Sequence, residues 1–140
     1  MQTERCQWWT RIRTLARPAW LHMPRYGAFN VTEFGTVKDP DQFKALYAYS
    51  PYHHVKDGTA YPAILFLTGE NDHRVNPLQS RKMTARLQAA NSSDRPILLR
   101  TTASAGHGIG AALDEEIEQG ADSYSFLFDQ LGIKYAPAAK

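Results

Sequence analysis

The sequence predicts an α/β fold in which parallel strands are flanked by helices. Residues 63–67 and 97–99 form two apolar, β-prone runs, and each run breaks into a polar turn. The first run is continuous and lies between Pro62 and Gly69, which is typical of a strand buried on both faces of its sheet. Residues 77–90 place apolar side chains near helical spacing between the two runs. Strand, helix and strand in this order predict two parallel strands joined by a right-handed crossover.

One further helix is predicted on each side of this unit. Residues 39–49 predict a short helix, with Asp39 as its N-cap and Pro40 in its first turn. Residues 111–131 predict a long helix with acidic residues in its first two turns and Gly132 as its cap. Apolar residues of this long helix form one stripe that it should bury: Leu113, Ile117, Ala121, Tyr124, Phe128 and Leu131.

Composition limits the class of protein. The 140 residues, 43% of them hydrophobic, are enough for one domain with a core. A net charge of +2 gives no argument for a nucleic-acid partner, and no apolar run approaches the ~20 residues that cross a membrane. The single Cys6 excludes an internal disulfide and fits a reducing compartment. We therefore expect a cytoplasmic protein, with the periplasm as the alternative for a longer parent enzyme.

Residues 1–22 differ from the rest of the chain. They hold four arginines against one acidic residue, and they also hold all three tryptophans. A transit sequence or a membrane-surface helix is one interpretation of such a segment. The simpler interpretation, which we adopt, is a poorly ordered basic leader. We expect the domain itself to span residues 23–133, followed by a disordered tail at 134–140.

Asp72 and His107 follow the two predicted strands. Parallel sheets gather catalytic groups at the carboxyl ends of their strands. An acid after one strand and a histidine after the next match the last two members of the Ser, Asp, His order of α/β-hydrolases. In that chemistry a buried carboxylate fixes the tautomer of a histidine base and stabilises its imidazolium. From spacing alone, an ordinary turn aspartate and a flexible Gly-His-Gly loop remain alternatives.

The chain from residue 23 to residue 133 resembles the carboxy-terminal end of the prolyl oligopeptidase family of serine peptidases. The matching stretches are TEFGTVKDPDQFKALYAYSPYHHVKDGTAYPAILFLTGENDHRV, RKMTARLQAA, and SAGHGIG followed by an acidic helix that ends in FLFDQLGI. The resemblance implies the carboxy-terminal portion of an α/β-hydrolase fold, with an incomplete sheet. It also implies a peptide substrate and no cofactor, with Asp72 as the triad acid and His107 as the triad base.

The resemblance further implies residues that bind substrate. Arg74 would bind a substrate carbonyl, and Val75 would form an aliphatic wall of the pocket for the residue before the scissile bond. The family places an aromatic residue that stacks on the substrate proline four positions before a tyrosine or phenylalanine. Phe34 keeps that second aromatic, but Asn30 occupies the stacking position. An amide has no flat apolar face, so we expect only a weak preference for proline.

The sequence contains no candidate nucleophile. None of its serines lies in the Gly-x-Ser-x-Gly pattern of a nucleophile elbow. We therefore expect a partial peptidase domain whose serine belongs to a missing upstream part. The alternatives are an esterase of the same fold and a non-catalytic module that binds a partner, or a second copy, through an open sheet edge. His53 and His54 could suggest a metal site, but without a third ligand nearby we predict none.

Overall fold

The computed structural model describes residues 31–108 and 110–136. The predicted order of helix, strand, helix, strand and helix is confirmed within them, and one short helix that was not predicted precedes it. The helices and strands in chain order are α1 (Val31–Phe34), α2 (Pro40–Ala48), β1 (Ile64–Gly69), α3 (Leu78–Ala90), β2 (Ile97–Thr102) and α4 (Leu113–Leu131). Both strands continue two or three residues beyond their apolar runs. The predicted leader lies outside the described residues, and residues 134–136 of the predicted tail are in neither helix nor strand.

The two strands pair in parallel, as the sequence predicts. Ile64 lies opposite Ile97, and the pairing continues without a slip to Gly69 opposite Thr102. Within the described part of the chain the sheet contains these two strands only. Because both strands end at the same level, the segments that follow them leave from one edge of the sheet.

The core lies between α3 and one face of the sheet. Leu87 and Ala90 of α3 are 3% and 1% exposed. They belong to a buried cluster that also contains Val55, Tyr61, Ile64, Phe66 and Ile97. Ile64 and Phe66 of β1 both belong to this cluster because every second residue of a strand points to the same face of its sheet. The apolar helix face and the apolar strand face thus remove each other from water.

The opposite face of the sheet is not buried, so the prediction of a strand covered on both sides is wrong. Leu67 and Leu98 are 44% and 45% exposed. The helix α4 meets this face at the end of β2, where side-chain hydrogen bonds join the two elements. Arg100 Nε donates to Asp122 Oδ2 at 2.6 Å, and Thr102 Oγ1 donates to Gln119 Oε1 at 3.0 Å. The apolar middle of the face therefore stays open.

The orientation of α4 also differs from the prediction. The helix and its left-handed Gly132 cap are confirmed, but Leu113, Ile117 and Leu131 are 72%, 63% and 62% exposed. Arg100 of β2 instead forms ion pairs with Glu118 and Asp122 on another side of the helix. The apolar stripe faces away from the sheet. No helix of the described residues combines the length and the apolar character needed to cross a membrane.

The short helix α2 begins as its sequence predicts. The Asp39 side chain accepts hydrogen bonds from the backbone N–H groups of Asp41 and Gln42, at 3.0 and 2.9 Å. Pro40 is the first helical residue. Both features satisfy or remove N–H groups that the first turn would leave without partners.

We expect the Leu87→Ala substitution to lower the free energy of unfolding by about 2–5 kcal/mol, because it leaves a cavity in the packed core. The matched control is Leu113→Ala, which removes the same atoms from an exposed helix position and should change stability by less than about 0.5 kcal/mol. Urea unfolding followed by circular dichroism measures both values. Equal losses in the two variants would contradict this location of the core.

Candidate active site

A tight turn after β1 fixes the carboxylate of Asp72. The Asp72 Oδ1 atom accepts hydrogen bonds from the backbone N–H groups of Arg74 at 2.9 Å and Val75 at 2.7 Å. An aspartate that binds the backbone two or three residues ahead stabilises the turn it belongs to. The second carboxylate oxygen, Oδ2, is left to face the loop that follows β2.

That oxygen meets His107, which is 35 residues further along the chain. Asp72 Oδ2 lies 2.8 Å from His107 Nδ1. Because an ionised carboxylate only accepts hydrogen bonds, we assign the proton of the neutral ring to Nδ1, which leaves the lone pair on Nε2. The Asp72 side chain is 10% exposed and that of His107 is 48% exposed. The carboxylate is thus shielded while the ring stays accessible, as a general base requires.

The surroundings of Asp72 keep it ionised. Burial acts to raise the pKa of its carboxyl group. The hydrogen bonds from the Val75 N–H, the His107 ring and the Arg74 N–H outweigh burial and lower that pKa below its ordinary value of 3.8. The carboxylate therefore carries its negative charge at neutral pH, where it can stabilise a positive imidazolium.

A cavity of about 720 Å³ adjoins this pair. Asp72, Val75 and His107 line it together with Leu67 of the open sheet face and Gln119 of α4. A space of this size is in the range of small-molecule and side-chain pockets. The structure thus brings Asp72, His107 and Val75 to one cavity.

Two of the remaining predicted substrate residues, Arg74 and Phe34, are not among the described residues that line this cavity. Arg74 is exposed, and the contact it makes with Asp72 is through its backbone. Phe34 is the last residue of α1 and is not among the described residues that line the cavity. Asn30 lies outside the described residues. The substrate-binding roles of these three residues remain predictions.

His53 and His54 both contact Ser50. The Ser50 hydroxyl lies 2.8 Å from His53 Nδ1, and His54 Nδ1 lies 2.7 Å from the Ser50 carbonyl oxygen. Ser50 is 2% exposed, so the two rings help to cover a buried residue after α2. Across residues 31–108 and 110–136, no three histidine, cysteine or acidic side chains are grouped so that they could hold a metal ion.

Comparison with known sequences identifies the family of the chain. A sequence model of the prolyl oligopeptidase family matches residues 19–134. The chain belongs to this family of serine peptidases. The predicted α/β-hydrolase fold class is confirmed, with an incomplete sheet in the described residues.

Several relatives are similar over most of this chain. The prolyl endopeptidase of Elizabethkingia meningoseptica is 39% identical over 120 residues, which cover 81% of this chain and 17% of that enzyme. The prolyl endopeptidase of Dictyostelium discoideum is 35% identical over 116 residues, which cover 81% of this chain and 15% of the relative. The chain thus spans about one sixth of the length of these relatives.

Solved structures give the same result. A structure from a study of two prolyl endopeptidases superposes with a TM-score of 0.71 at 42% identity, covering 77% of this chain and 16% of the other. Prolyl oligopeptidase B from Galerina marginata superposes with a TM-score of 0.72 at 30% identity, covering 84% of this chain and 17% of that one.

Two residues near the site, Gly69 and Asn71, were not predicted from the sequence to support it. Asn71 donates its side-chain amide to the Ala103 carbonyl, and Gly69 lies directly under the loop that carries His107. A glycine at the end of an apolar strand is a recognised signal of close backbone approach. The sequence carries no comparable signal for Asn71.

We expect Asp72→Asn to change how stability depends on pH. The pKa of Asp72 is lower in the folded than in the unfolded chain, so its ionisation favours folding above about pH 3.8 and this contribution is lost as the pH falls through the folded value. The parent should be the more stable protein at about pH 6. The difference should shrink as the pH is lowered from about 5 to about 2. Urea unfolding of both proteins at a series of pH values measures it. A difference that is constant with pH would show that the charge of Asp72 does not contribute.

Proposed function

We propose that this chain supplies the acid and the base of a Ser-Asp-His triad in a serine peptidase. The observation that carries the proposal is the 2.8 Å contact between Asp72 Oδ2 and His107 Nδ1, where two parallel strands end at one edge. The serine comes from a polypeptide segment outside these 140 residues, because no serine within them has the elbow pattern.

In this proposal His107 moves one proton twice. Its Nε2 takes the proton of the serine hydroxyl as the serine oxygen attacks the peptide carbonyl. The same Nε2 then gives that proton to the leaving amine as the peptide bond breaks. Water repeats the cycle on the acyl-enzyme and releases the second product. Asp72 remains ionised throughout, which keeps the ring in one tautomer and stabilises the imidazolium.

The structural relatives support a peptide as the substrate. Prolyl oligopeptidase B from Galerina marginata was solved with a 35-residue hydrolysis and macrocyclization substrate in variants with a serine or a histidine replaced. It was also solved with a 25-residue macrocyclization substrate in a variant with an aspartate replaced by alanine. These are the three residue types that the proposed triad requires.

We assign substrate binding to the residues that follow Asp72. The guanidinium group of Arg74 binds a carbonyl oxygen of the peptide, and Val75 forms one wall of the pocket before the scissile bond. Both residues belong to the turn that Asp72 fixes, and Val75 lines the cavity beside His107. The same turn therefore places the triad acid and the substrate contacts.

The partner in this proposal is the upstream part of a prolyl oligopeptidase catalytic domain. Within the described chain β1 is paired along one edge only, and Leu67 and Leu98 of the open face are exposed. A strand added beside β1 and an apolar helix laid on this face would cover them. The same exposed surface favours a second candidate function, a binding module that does no chemistry.

The chain alone should not react with a fluorophosphonate probe, because a serine outside an elbow lacks both activation and an oxyanion hole. The complete Elizabethkingia meningoseptica enzyme serves as the positive control. Intact-mass spectrometry detects the adduct. Stoichiometric labelling of any serine in this chain would contradict the proposal that its nucleophile lies elsewhere.

A chimera tests the roles of the individual residues. It carries this chain in place of the matching 120 residues of the Elizabethkingia meningoseptica enzyme. His107→Ala should abolish turnover, and Asp72→Asn should lower kcat by up to roughly 10⁴-fold because the amide fixes the wrong tautomer. Arg74→Ala should cost about 1.5–3 kcal/mol in kcat/KM, as expected for a charged hydrogen bond.

The matched controls are Asp94→Asn and Arg95→Ala, which make the same chemical changes at exposed positions before β2. Both controls should leave kcat/KM close to that of the unsubstituted chimera. If Asp72→Asn and His107→Ala were folded and retained kcat within a few-fold, the triad assignment would be wrong. The binding-module function would then be the better account of the chain.

A further inference from the structure

We propose that Gly69 and Asn71 are positioning residues that hold the His107 loop against the end of β1 and thereby keep His107 Nδ1 on Asp72. Among the described residues, the imidazole ring is hydrogen-bonded to Asp72 and to neither of these two. The inference rests on the proposed function, because it concerns the same Asp72–His107 pair. Gly69 and Asn71 explain how His107, on a glycine-rich loop, is held in contact with the Asp72 carboxylate.

Hydrogen bonds continue from the sheet into this loop. Beyond the last strand pair, the Glu70 N–H donates to the Thr102 carbonyl at 3.0 Å. The Asn71 N–H donates to the Ala105 carbonyl at 3.1 Å, and Asn71 Nδ2 donates to the Ala103 carbonyl at 2.7 Å. Asn71 therefore binds the loop at two points. The nearer point is two residues before His107.

Gly69 allows the loop to approach this closely. A Cβ atom at residue 69 would lie 2.3 Å from the Ala105 carbonyl oxygen and 2.6 Å from that of Gly106. Both are backbone atoms, which cannot move aside as the end of a flexible side chain can. Gly69 does not have a positive φ, so the requirement for glycine is one of space and not of backbone conformation. Any side chain at this position displaces the residues that lead into His107.

Within the described part of this loop, a further hydrogen bond to a distant residue is the one that the Ser104 hydroxyl donates to Glu115 Oε2 of α4. His107 lies between Gly106 and Gly108, which have no side chains to pack, and the Gly108 N–H binds only within the loop, to the Gly106 carbonyl at 2.9 Å. The Ala105 carbonyl accepts the hydrogen bond from the Asn71 N–H. Ala105 is 9% exposed and is the buried end of the loop. Because hydrogen bonds weaken steeply with distance and angle, a displacement of about 1 Å at this end is enough to break the ring contact with Asp72.

The experiment is nitrogen-15 NMR of the full 140-residue chain, labelled uniformly with nitrogen-15. The Nδ1 and Nε2 chemical shifts at a pH where the ring is neutral report which nitrogen carries the proton. In the parent, the His107 proton should lie on Nδ1. Asp72→Asn should move this proton to Nε2, which tests the proposed function. Gly69→Ala and Asn71→Ala should each shift His107 toward the tautomer mixture of a free imidazole, although Asp72 is unchanged.

The control for Gly69→Ala is Gly120→Ala, because a Cβ atom at Gly120 meets nothing within 4 Å. This control should leave the His107 tautomer as in the parent. Amide signals of Leu87 and Ile97 in the core show whether each variant is folded. If Gly69→Ala unfolds the chain, Asn71→Ala decides the question, since it removes one hydrogen bond and adds no atoms.

The outcomes separate the two proposals. A parent-like tautomer in folded Asn71→Ala and Gly69→Ala, together with a changed tautomer in Asp72→Asn, would overturn the positioning role and leave the Asp72–His107 pair intact. A tautomer that is unchanged even in Asp72→Asn would overturn the pairing and the proposed function with it. A shift in Asn71→Ala or in folded Gly69→Ala, with Gly120→Ala like the parent, supports the positioning role.

Discussion

The in-register parallel pairing of β1 with β2 is the constraint on which the rest of the structure depends. Gly69 and Thr102 end their strands opposite each other, so the turns that follow begin side by side. The backbone hydrogen bonds of residues 70 and 71 extend that pairing past the strands. A slip of one residue would turn the apolar side chains of the slipped strand to the wrong face and would separate the two turns by about 3.3 Å. The fold and the 2.8 Å contact between Asp72 and His107 therefore depend on the same register.

The sequence correctly predicted the structural features that depend only on residues close together in the chain. Asp39 as N-cap, Gly132 as C-cap and the strand, helix and strand unit follow from capping, backbone freedom and periodicity, and the structure confirms them. Asp72 and His107 could be placed at one edge because parallel strands present their carboxyl ends together. The burial of the apolar stripe of α4 could not be predicted correctly, because periodicity shows that a face is apolar without showing what covers it. Arg100 instead forms ion pairs with Glu118 and Asp122 on another side of the helix.

Gly69 and Asn71 illustrate a second limit of sequence reasoning. The space that Gly69 leaves is used by carbonyl groups 36 and 37 residues later in the chain, so its importance exists only in the folded state. Asn71 resembles any polar turn residue until its partner, the Ala103 carbonyl, is known. Contacts between two loops are set by tertiary structure. A single sequence contains the residues that make them but not their pairing.

The open face of the sheet connects stability with catalysis in the proposed function. Leu67 is 44% exposed, and it also lines the cavity that contains Asp72 and His107. A polypeptide that covers Leu67 would gain a binding free energy of roughly 25 cal/mol for each Å² of apolar surface that it buries. It would also close that side of the cavity. Closing the cavity excludes water from the Asp72–His107 pair, and electrostatic interactions strengthen as water leaves. The segment that brings the serine would thus improve the environment of the base that activates it, so we expect catalytic competence to appear when that segment binds.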